Sequence, residues 1–164
     1  MATRIKAAII TLSDTRSISK IDESGAVIKQ LLTEAGYEVV GYDLISDDLE
    51  GIQTALIRRS DEQIPLIVTT GGTGLSPRDN TPEATKAIIE KEVPGISEAM
   101  RAYSLQITPR AMLSRGVSGI RKQSLIINLP GSPKAVEESL AYILPSLRHG
   151  LEILSGTASN CARN

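Results

Sequence analysis

A loop of glycines and threonines is the part of this sequence whose residue types could most directly bind a ligand. The residues are Thr70-Gly71-Gly72-Thr73-Gly74, and they end an apolar, β-branched run at 66–70. Glycines allow positive φ angles, so consecutive backbone N–H groups can point into one concavity that suits phosphate. The same glycines also suit a tight connection without a ligand, and this loop alone leaves both interpretations open.

Charged side chains follow the glycine loop within a few residues. Arg78 can pair with a phosphate or a carboxylate, and Asp79 offers hard oxygen ligands of the kind that Mg²⁺ prefers. Both precede Thr81-Pro82, which predicts the start of a helix, and helix starts favour anions. Asp79 is equally suited to capping that helix or closing a turn, so metal binding is one of two interpretations.

Three further polar loops are expected to lie near the glycine loop. Asp47-Asp48 follows one predicted strand, Pro130-Gly131-Ser132 follows another, and Ser13-Asp14 follows the first strand of the chain. The carboxyl ends of parallel strands meet at one sheet edge, where open α/β proteins bind ligands. Two acidic loops around a glycine loop could hold Mg²⁺ and a nucleotide, although solvated surface aspartates look the same in a sequence.

The apolar pattern places these loops on an alternating series of strands and helices. Continuous apolar runs at 5–12, 66–70 and 124–129 predict buried strands, and residues 39–45 predict a fourth. Helical spacing predicts helices near 26–35 and 52–57, from 81 to about 89, and from 133 to about 151. This alternation predicts one α/β domain over residues 1–154, with a doubly wound, mostly parallel sheet and helices on both faces. We expect residues 155–164 to form a flexible tail.

Composition excludes several classes of function. The 18 basic and 19 acidic residues give a net charge of −1, and aromatic residues make up only 2%. Neither electrostatic attraction to nucleic acid nor a base-stacking surface is therefore expected. No apolar run approaches the roughly 20 residues of a membrane span, and no secretory signal pattern is recognised. A single cysteine, Cys161, and a single histidine, His149, exclude metal sites built from several of either. We expect a cytoplasmic protein that binds no nucleic acid and no membrane.

Taken together, the motifs resemble the MogA/MoaB molybdopterin-binding family, which includes the G domain of gephyrin. The glycine loop is followed by Arg78-Asp79, Thr81-Pro82-Glu83-Ala84, and Pro94-Gly95 with Glu98 and Arg101. The match continues through Leu113-Ser114-Arg115, Gly119-Ile120-Arg121 and Asn128-Leu129-Pro130-Gly131-Ser132. It covers nearly the whole chain, and the lack of an insertion after Ser132 resembles the compact MoaB branch.

This resemblance implies a role in molybdenum cofactor biosynthesis. Enzymes of the family transfer AMP from Mg·ATP to the terminal phosphate of molybdopterin and release pyrophosphate, and the product passes to a MoeA-type molybdate-inserting partner. The implied activity is that of a nucleotidyltransferase, a molybdopterin adenylyltransferase, in the form of a homo-trimer or homo-hexamer. By the same resemblance, Asp47 and Asp79 hold the catalytic, Mg²⁺-binding positions. Thr70–Gly74, Arg78 and Pro130–Ser132 hold the substrate-binding positions.

Two departures from the family pattern and two other functions bear on this interpretation. Ser46 stands where proline is common, which leaves open whether Asp47 or Asp48 is the functional carboxylate, and Ile96 stands where phenylalanine is expected.

A non-catalytic molybdopterin carrier in the same pathway would keep the glycine loop without requiring Asp47 or Asp79. An unrelated phosphosugar- or nucleotide-binding α/β enzyme would have no affinity for molybdopterin. The presence of both acidic residues favours the enzyme.

Overall fold

Strands and helices alternate through most of the chain in the computed structural model, which describes residues 3–13 and 22–158. Their bounds, in chain order, are β1 Lys6–Leu12, α1 Glu23–Glu34, β2 Glu38–Ile45, α2 Leu49–Asp61, β3 Leu66–Thr70, α3 Thr81–Ile88, β4 Lys91–Glu92, α4 Pro94–Leu105, a 3₁₀ helix at Pro109–Leu113, β5 Ser118–Arg121, β6 Ser124–Leu129 and α5 Pro133–Leu154. The four strands expected from apolar runs are all present. No helix in the described ranges is long and apolar enough to cross a membrane.

The strands form one sheet in the order β2-β1-β3-β6-β5-β4. The first four are parallel, whereas β5 and β4 are antiparallel to their neighbours at one edge. The chain passes from β1 through α1 to β2, which lies on one side of β1. It then passes through α2 to β3, which lies on the other side of β1, so the direction of winding reverses between β1 and β3. The predicted doubly wound, mostly parallel α/β fold is therefore confirmed.

Each face of the sheet carries its own aliphatic core. Side chains alternate along β1, so that Ile9 packs with α1, α4 and α5, whereas Ile10 packs with α2 and α3. Both isoleucines are fully buried. Strands with apolar residues in both alternating positions need helices on both faces, which explains the continuous apolar runs in the sequence.

Polar caps set where three helices begin, and thereby where the loops before them end. Asp22 accepts a hydrogen bond from Gly25 N at 2.9 Å at the start of α1, and Asp48 accepts one from Gly51 N at 2.8 Å at the start of α2. Ser132 does the same for α5. These side chains satisfy amide groups that have no partner within the helix.

The carboxyl ends of the three central strands lie side by side. In the parallel register, Thr11 pairs with Thr70, and Thr70 pairs with Leu129. The glycine loop, whose first residue Thr70 is also the last residue of β3, therefore leaves the sheet between the loop after β1 and the loop after β6. Of the loop after β1, residues 14–21 lie outside the described residues.

The last helix ends close to the predicted domain boundary. Beyond Leu154, backbone amides of Ser155 and Ala158 still donate to carbonyls of α5, at 3.0 and 3.1 Å. Residues 159–164, including Cys161, lie outside the described residues. The flexible tail therefore stays a prediction for those residues.

Candidate functional site

The glycine loop is held against the neighbouring loop after β6. Thr70 Oγ1 donates to Pro130 O at 2.6 Å, and Gly71 N donates to Leu129 O at 3.4 Å. A β-carbon placed on Gly131 would lie 3.4 Å from the Cα of Gly71. Glycine at both positions lets the two backbones approach this closely.

Consecutive left-handed residues turn the glycine loop sharply at its start. Gly71 has a φ of +95° and Gly72 a φ of +68°. The carbonyl of Gly71 accepts from Thr81 Oγ1 at 2.9 Å, and the carbonyl of Gly72 accepts from Thr81 N at 3.2 Å. Thr81 thus fastens Gly71 and Gly72 to the first turn of α3.

The two neighbouring aspartates after β2 occupy different environments. Asp48 is exposed and caps α2, as described above. Asp47 is half-buried, and a β-carbon on Gly72 would lie 3.3 Å from its Oδ1. Asn80 Nδ2 also donates to Asp47 O at 3.1 Å. Of the two carboxylates, Asp47 is the one placed against the glycine loop.

Asp79 approaches the glycine loop from its other end. Its Oδ2 accepts from Ser76 N at 3.1 Å, while its own amide donates to Ser76 O at 2.9 Å. A β-carbon on Gly74 would lie 2.9 Å from that same Oδ2. The residue that precedes α3 is Asn80, which makes no side-chain capping bond. Asp79 therefore closes a turn in the loop and does not cap the helix.

The remaining loop residues from the sequence analysis differ in exposure. Thr73 is buried, and Arg78 is exposed, with its amide donating to Ser76 Oγ at 3.3 Å. The carbonyl of Thr73 accepts from Arg115 N at 2.9 Å, so the segment after the 3₁₀ helix runs beside the loop. Arg78 lies on the solvent side of this arrangement.

A cavity of about 270 Å³ opens beside the site, between α4, the 3₁₀ helix, the end of β6 and the start of α5. Pro130 and Ser132 line it, so these two predicted residues lie at its wall. Most of its other lining residues come from α4, the 3₁₀ helix and α5, and none of these was among the predicted site residues. Those with polar or sulphur-containing side chains are Ser97, Met100, Arg101, Ser104, Thr108, Arg110, Ser114, Asn128, Glu138 and Ser139.

The predicted residues therefore form two adjoining groups. Thr70 to Gly74 lie with Asp47 and Asp79 at the glycine loop, and Pro130 and Ser132 lie at the cavity. Gly131 connects them, because a β-carbon there would lie only 3.4 Å from the Cα of Gly71 and its carbonyl accepts from Ser24 Oγ at 2.8 Å. The arrangement brings a glycine-rich turn, two carboxylates and a cavity together along one sheet edge.

Comparison with known proteins agrees with this geometry. The family described as the probable molybdopterin binding domain matches residues 8–149. The chain belongs to this family. The molybdopterin adenylyltransferase of Helicobacter pylori J99 is 40% identical over 156 residues, covering 93% of this chain and 89% of that protein. Gephyrin of Dictyostelium discoideum is 42% identical over 158 residues, which cover 90% of this chain but only 22% of gephyrin.

Solved structures share the fold over nearly the whole chain. The molybdopterin biosynthesis enzyme MoaB from Thermus thermophilus superposes with a TM-score of 0.87 at 44% identity, covering 93% of this chain and 97% of that one. The molybdopterin biosynthesis Mog protein from Mycobacterium ulcerans superposes with a TM-score of 0.88 at 36% identity, covering 94% and 99%. The recognised resemblance to the MogA/MoaB family is confirmed.

Proposed function

We propose that this protein is a molybdopterin adenylyltransferase of molybdenum cofactor biosynthesis. An oxygen of the terminal phosphate of molybdopterin attacks the α-phosphorus of ATP, a new P–O bond forms, and the bond to the β-phosphate oxygen breaks. The products are adenylylated molybdopterin and pyrophosphate. The family relationship and the adenylyltransferase relatives support this assignment.

One observation carries the proposal for this chain. Two carboxylates from separate loops, Asp47 after β2 and Asp79 before α3, lie against one glycine loop. Phosphoryl and nucleotidyl transfer depend mainly on positioning and on compensation of the charge that develops on phosphate oxygens. A phosphate-binding loop flanked by two hard oxygen ligands supplies both requirements.

The described residues fit a magnesium ion that arrives with ATP. No group of three or more acidic, histidine or cysteine side chains that could hold a metal occurs in the described part of the chain. Mg²⁺ in nucleotide enzymes is commonly held by one or two carboxylates, with phosphate oxygens and water completing the shell. Asp47 and Asp79 are proposed as those two ligands.

Each substrate has a proposed place. Within Thr70–Gly74, the Thr70 hydroxyl and the Gly71 amide already donate to the loop after β6. The amides of Gly72, Thr73 and Gly74, with the Arg78 guanidinium, are therefore the groups that bind phosphate at the turn that Gly71 and Gly72 create. Pro130, Gly131 and Ser132 bind molybdopterin from the other side, with its ring system in the adjoining cavity. The transfer is direct, so no covalent protein intermediate is required.

The test is to incubate the purified protein with molybdopterin, ATP and Mg²⁺ and to measure adenylylated molybdopterin by chromatography and mass spectrometry. We expect Asp47→Asn and Asp79→Asn to lower kcat by about 100-fold or more, because each loses a negative charge at the proposed metal. Asparagine keeps an oxygen that can accept the bond from Ser76 N, so the loop should stay folded.

Asp48→Asn is the matched control. It makes the same chemical change one residue away, and asparagine caps helices as well as aspartate does. It should leave kcat within about twofold. Tight molybdopterin binding by the wild type without any product would favour the carrier function. No binding at all would contradict membership of the pathway.

Three further properties belong to the same proposal. The protein is proposed to act in the cytoplasm, to pass its product to a MoeA-type molybdate-inserting protein, and to form a homo-trimer or homo-hexamer. Large exposed apolar side chains on α4, the loop that follows it, the 3₁₀ helix and α5 are compatible with self-association: Leu105, Ile107, Met112, Leu113 and Tyr142. Light scattering should give three or six times the 17.5 kDa chain mass, and a monomer would contradict the assembly.

A further inference from the structure

Arg115 makes an unusual set of contacts with the glycine loop. Its backbone N donates to Thr73 O at 2.9 Å. Its Nε donates to Gly74 O at 2.7 Å, and its Nη2 donates to Asp79 O at 2.8 Å. Its Nη1 forms an ion pair with the carboxylate of Glu83. One residue therefore joins Thr73 and Gly74, which precede the turn, to Asp79, which closes it.

The chemistry of the guanidinium suits this task. Arginine presents donors in a rigid planar fork, and hydrogen bonds from a charged donor are stronger than those between neutral groups. Here the fork spans Gly74 and Asp79, five residues apart, and fixes the distance between their carbonyl oxygens. A lysine has a single ammonium at the end of a flexible chain and cannot reproduce that geometry.

Glu83 in the first turn of α3 orients the arginine in turn. The hydrogen bond from Arg115 lowers the pKa of the Glu83 carboxyl, which favours the ionised form that the pair requires. Since α3 is itself fastened to the glycine loop through Thr81, the ion pair ties the guanidinium to a rigid element. Glu83 thus fixes the orientation of the Arg115 guanidinium, which in turn bonds to the carbonyls of Gly74 and Asp79.

The contacts of Arg115 point to the loop and not to the core. Its side chain is 33% exposed, and the four acceptors named above all belong to residues 73–83. Removal of its side chain is therefore expected to loosen the glycine loop while leaving the sheet and its helices folded.

We propose that Arg115 is a positioning residue for adenylyl transfer, which clamps the glycine loop so that the Asp79 carboxylate faces the bound nucleotide. This inference rests on the proposed function. Arg115 acts through the backbone of Gly74 and Asp79, and it does not itself touch the reacting groups.

The experiment compares Arg115→Ala and Arg115→Lys with Arg121→Ala. Arg121 is also partly buried and ion-paired, with Asp61 at 3.3 Å. It lies at the amino end of β6, where β5 turns into β6, whereas the glycine loop lies beside the carboxyl end of that strand. Steady-state adenylylation would be measured over ranges of molybdopterin, ATP and Mg²⁺. Hydrogen exchange would be measured at the amides of Ser76, Asp79 and Thr81. Each of these amides donates a hydrogen bond within the segment from Gly72 to Thr81.

We expect Arg115→Ala to lower kcat by about 30-fold or more and to raise the Mg²⁺ concentration for half-maximal rate by about tenfold. The three loop amides should exchange faster, whereas amides of β1 and β3 keep their protection. Arg115→Lys should recover only part of the rate, and millimolar guanidinium should partly rescue Arg115→Ala. Arg121→Ala should stay within about twofold of the wild type in each measurement.

Two results would overturn the inference. The first is a kcat for Arg115→Ala within about twofold of the wild type. The second is a loss of activity accompanied by faster exchange throughout the sheet, which would make the role of Arg115 purely structural. A wild-type protein that makes no adenylylated molybdopterin would instead contradict the proposed function, and the exchange of the loop amides would still show whether Arg115 orders the loop.

Discussion

At the scale of single residues, the candidate site depends on a glycine, because a residue with a side chain would not fit at its position. Gly72 combines a φ of +68° with close neighbours on both sides, because a β-carbon there would overlap Thr81 Oγ1 and approach Asp47 Oδ1. Both the backbone conformation and the space exclude larger residues. Gly72 therefore permits the contact between the glycine loop, α3 and the loop that carries Asp47.

The first prediction is that Gly72→Ala damages both the site and the fold. The left-handed conformation and the overlap with Thr81 should lower the free energy of unfolding by about 2 kcal/mol, with an adenylylation rate at least about tenfold lower. Chemical denaturation and the product assay measure the two effects.

Gly95→Ala provides the control for this substitution. Gly95 lies in the first turn of α4, its φ is not positive, and a β-carbon there would meet nothing within 4 Å. Since alanine favours helices, this variant should keep full activity and gain up to about 1 kcal/mol of stability. Equal behaviour of the two alanine variants would contradict the argument about Gly72.

The residue scale also shows where sequence reasoning ends. The sequence identified the acidic pair at 47–48, but only the structure separates Asp48, which caps α2, from Asp47, which lies at Gly72. The clamp by Arg115 could not be predicted, because the acceptors are backbone carbonyls, which every residue has. Contacts of this kind carry no signature in residue types.

At the scale of elements, an ion pair fastens α2 across the edge strand β2. Arg59 Nε donates to Asp43 Oδ2 at 2.8 Å, and Arg58 Nη2 donates to Asp43 Oδ1 at 2.7 Å. The Arg59 guanidinium lies where a side chain on Gly41 would otherwise stand. Burial alone would raise the pKa of Asp43, but the hydrogen bonds from Arg59 and Arg58 outweigh it and lower that pKa below its ordinary value.

The second prediction follows from the sign of this shift. A carboxyl whose pKa is lowered by folding stabilises the folded state above its unfolded pKa of about 3.9, and this contribution is lost as the pH falls through the lower, folded value. Asp43→Asn should therefore lower the free energy of unfolding by about 2 kcal/mol at pH 7 and by progressively less below about pH 4. Urea denaturation of both proteins at several pH values measures the difference.

Asp61→Asn is the comparison for Asp43→Asn. Asp61 pairs with Lys122 and Arg121 on the exposed surface, where side-chain entropy and solvent screening cancel most of the attraction. Asp61→Asn should therefore change the free energy of unfolding at pH 7 much less than Asp43→Asn does. A constant loss for Asp43→Asn from pH 7 to pH 3 would contradict the role assigned to its charge.

Elements with a strong apolar pattern were predicted, and those without one were missed. The runs at 66–70 and 124–129 coincide with β3 and β6, because a strand buried on both faces must be apolar throughout. The helix α4 was missed because Pro94-Gly95 resembles a break, although proline is favoured in the first turn of a helix. The strands β4 and β5 have only two and four residues, which is too short for an apolar alternation to be recognised in the sequence.

At the scale of the whole molecule, the reversal of the sheet's winding explains why distant segments meet. The carboxyl ends of β1, β3 and β6 lie next to one another, although β1 and β6 are far apart along the chain. The glycine loop leaves the middle strand, and the cavity lies beside the last. That edge could be predicted from the order of strands and helices. The cavity could not, since α4 and the 3₁₀ helix form one of its walls.

The third prediction concerns the stability of the whole fold when this edge is occupied. A ligand that binds only the folded state at about 100 times its Kd adds about 2.7 kcal/mol. For a chain of this length, that corresponds to a rise in Tm of roughly 5–10 °C. Molybdopterin should therefore raise the Tm of the wild type and of Asp79→Asn, because that variant keeps the glycine loop and the cavity.

The Gly72→Ala variant completes this comparison at one fixed protein concentration. Its loop should no longer hold the phosphate of molybdopterin, so the shift should be much smaller than in the wild type, whatever the change in its own Tm. A shift in the wild type that Gly72→Ala keeps in full would place the ligand elsewhere on the molecule. The absence of any shift in the wild type would contradict molybdopterin binding at this edge, because a ligand that binds only the folded state must stabilise it.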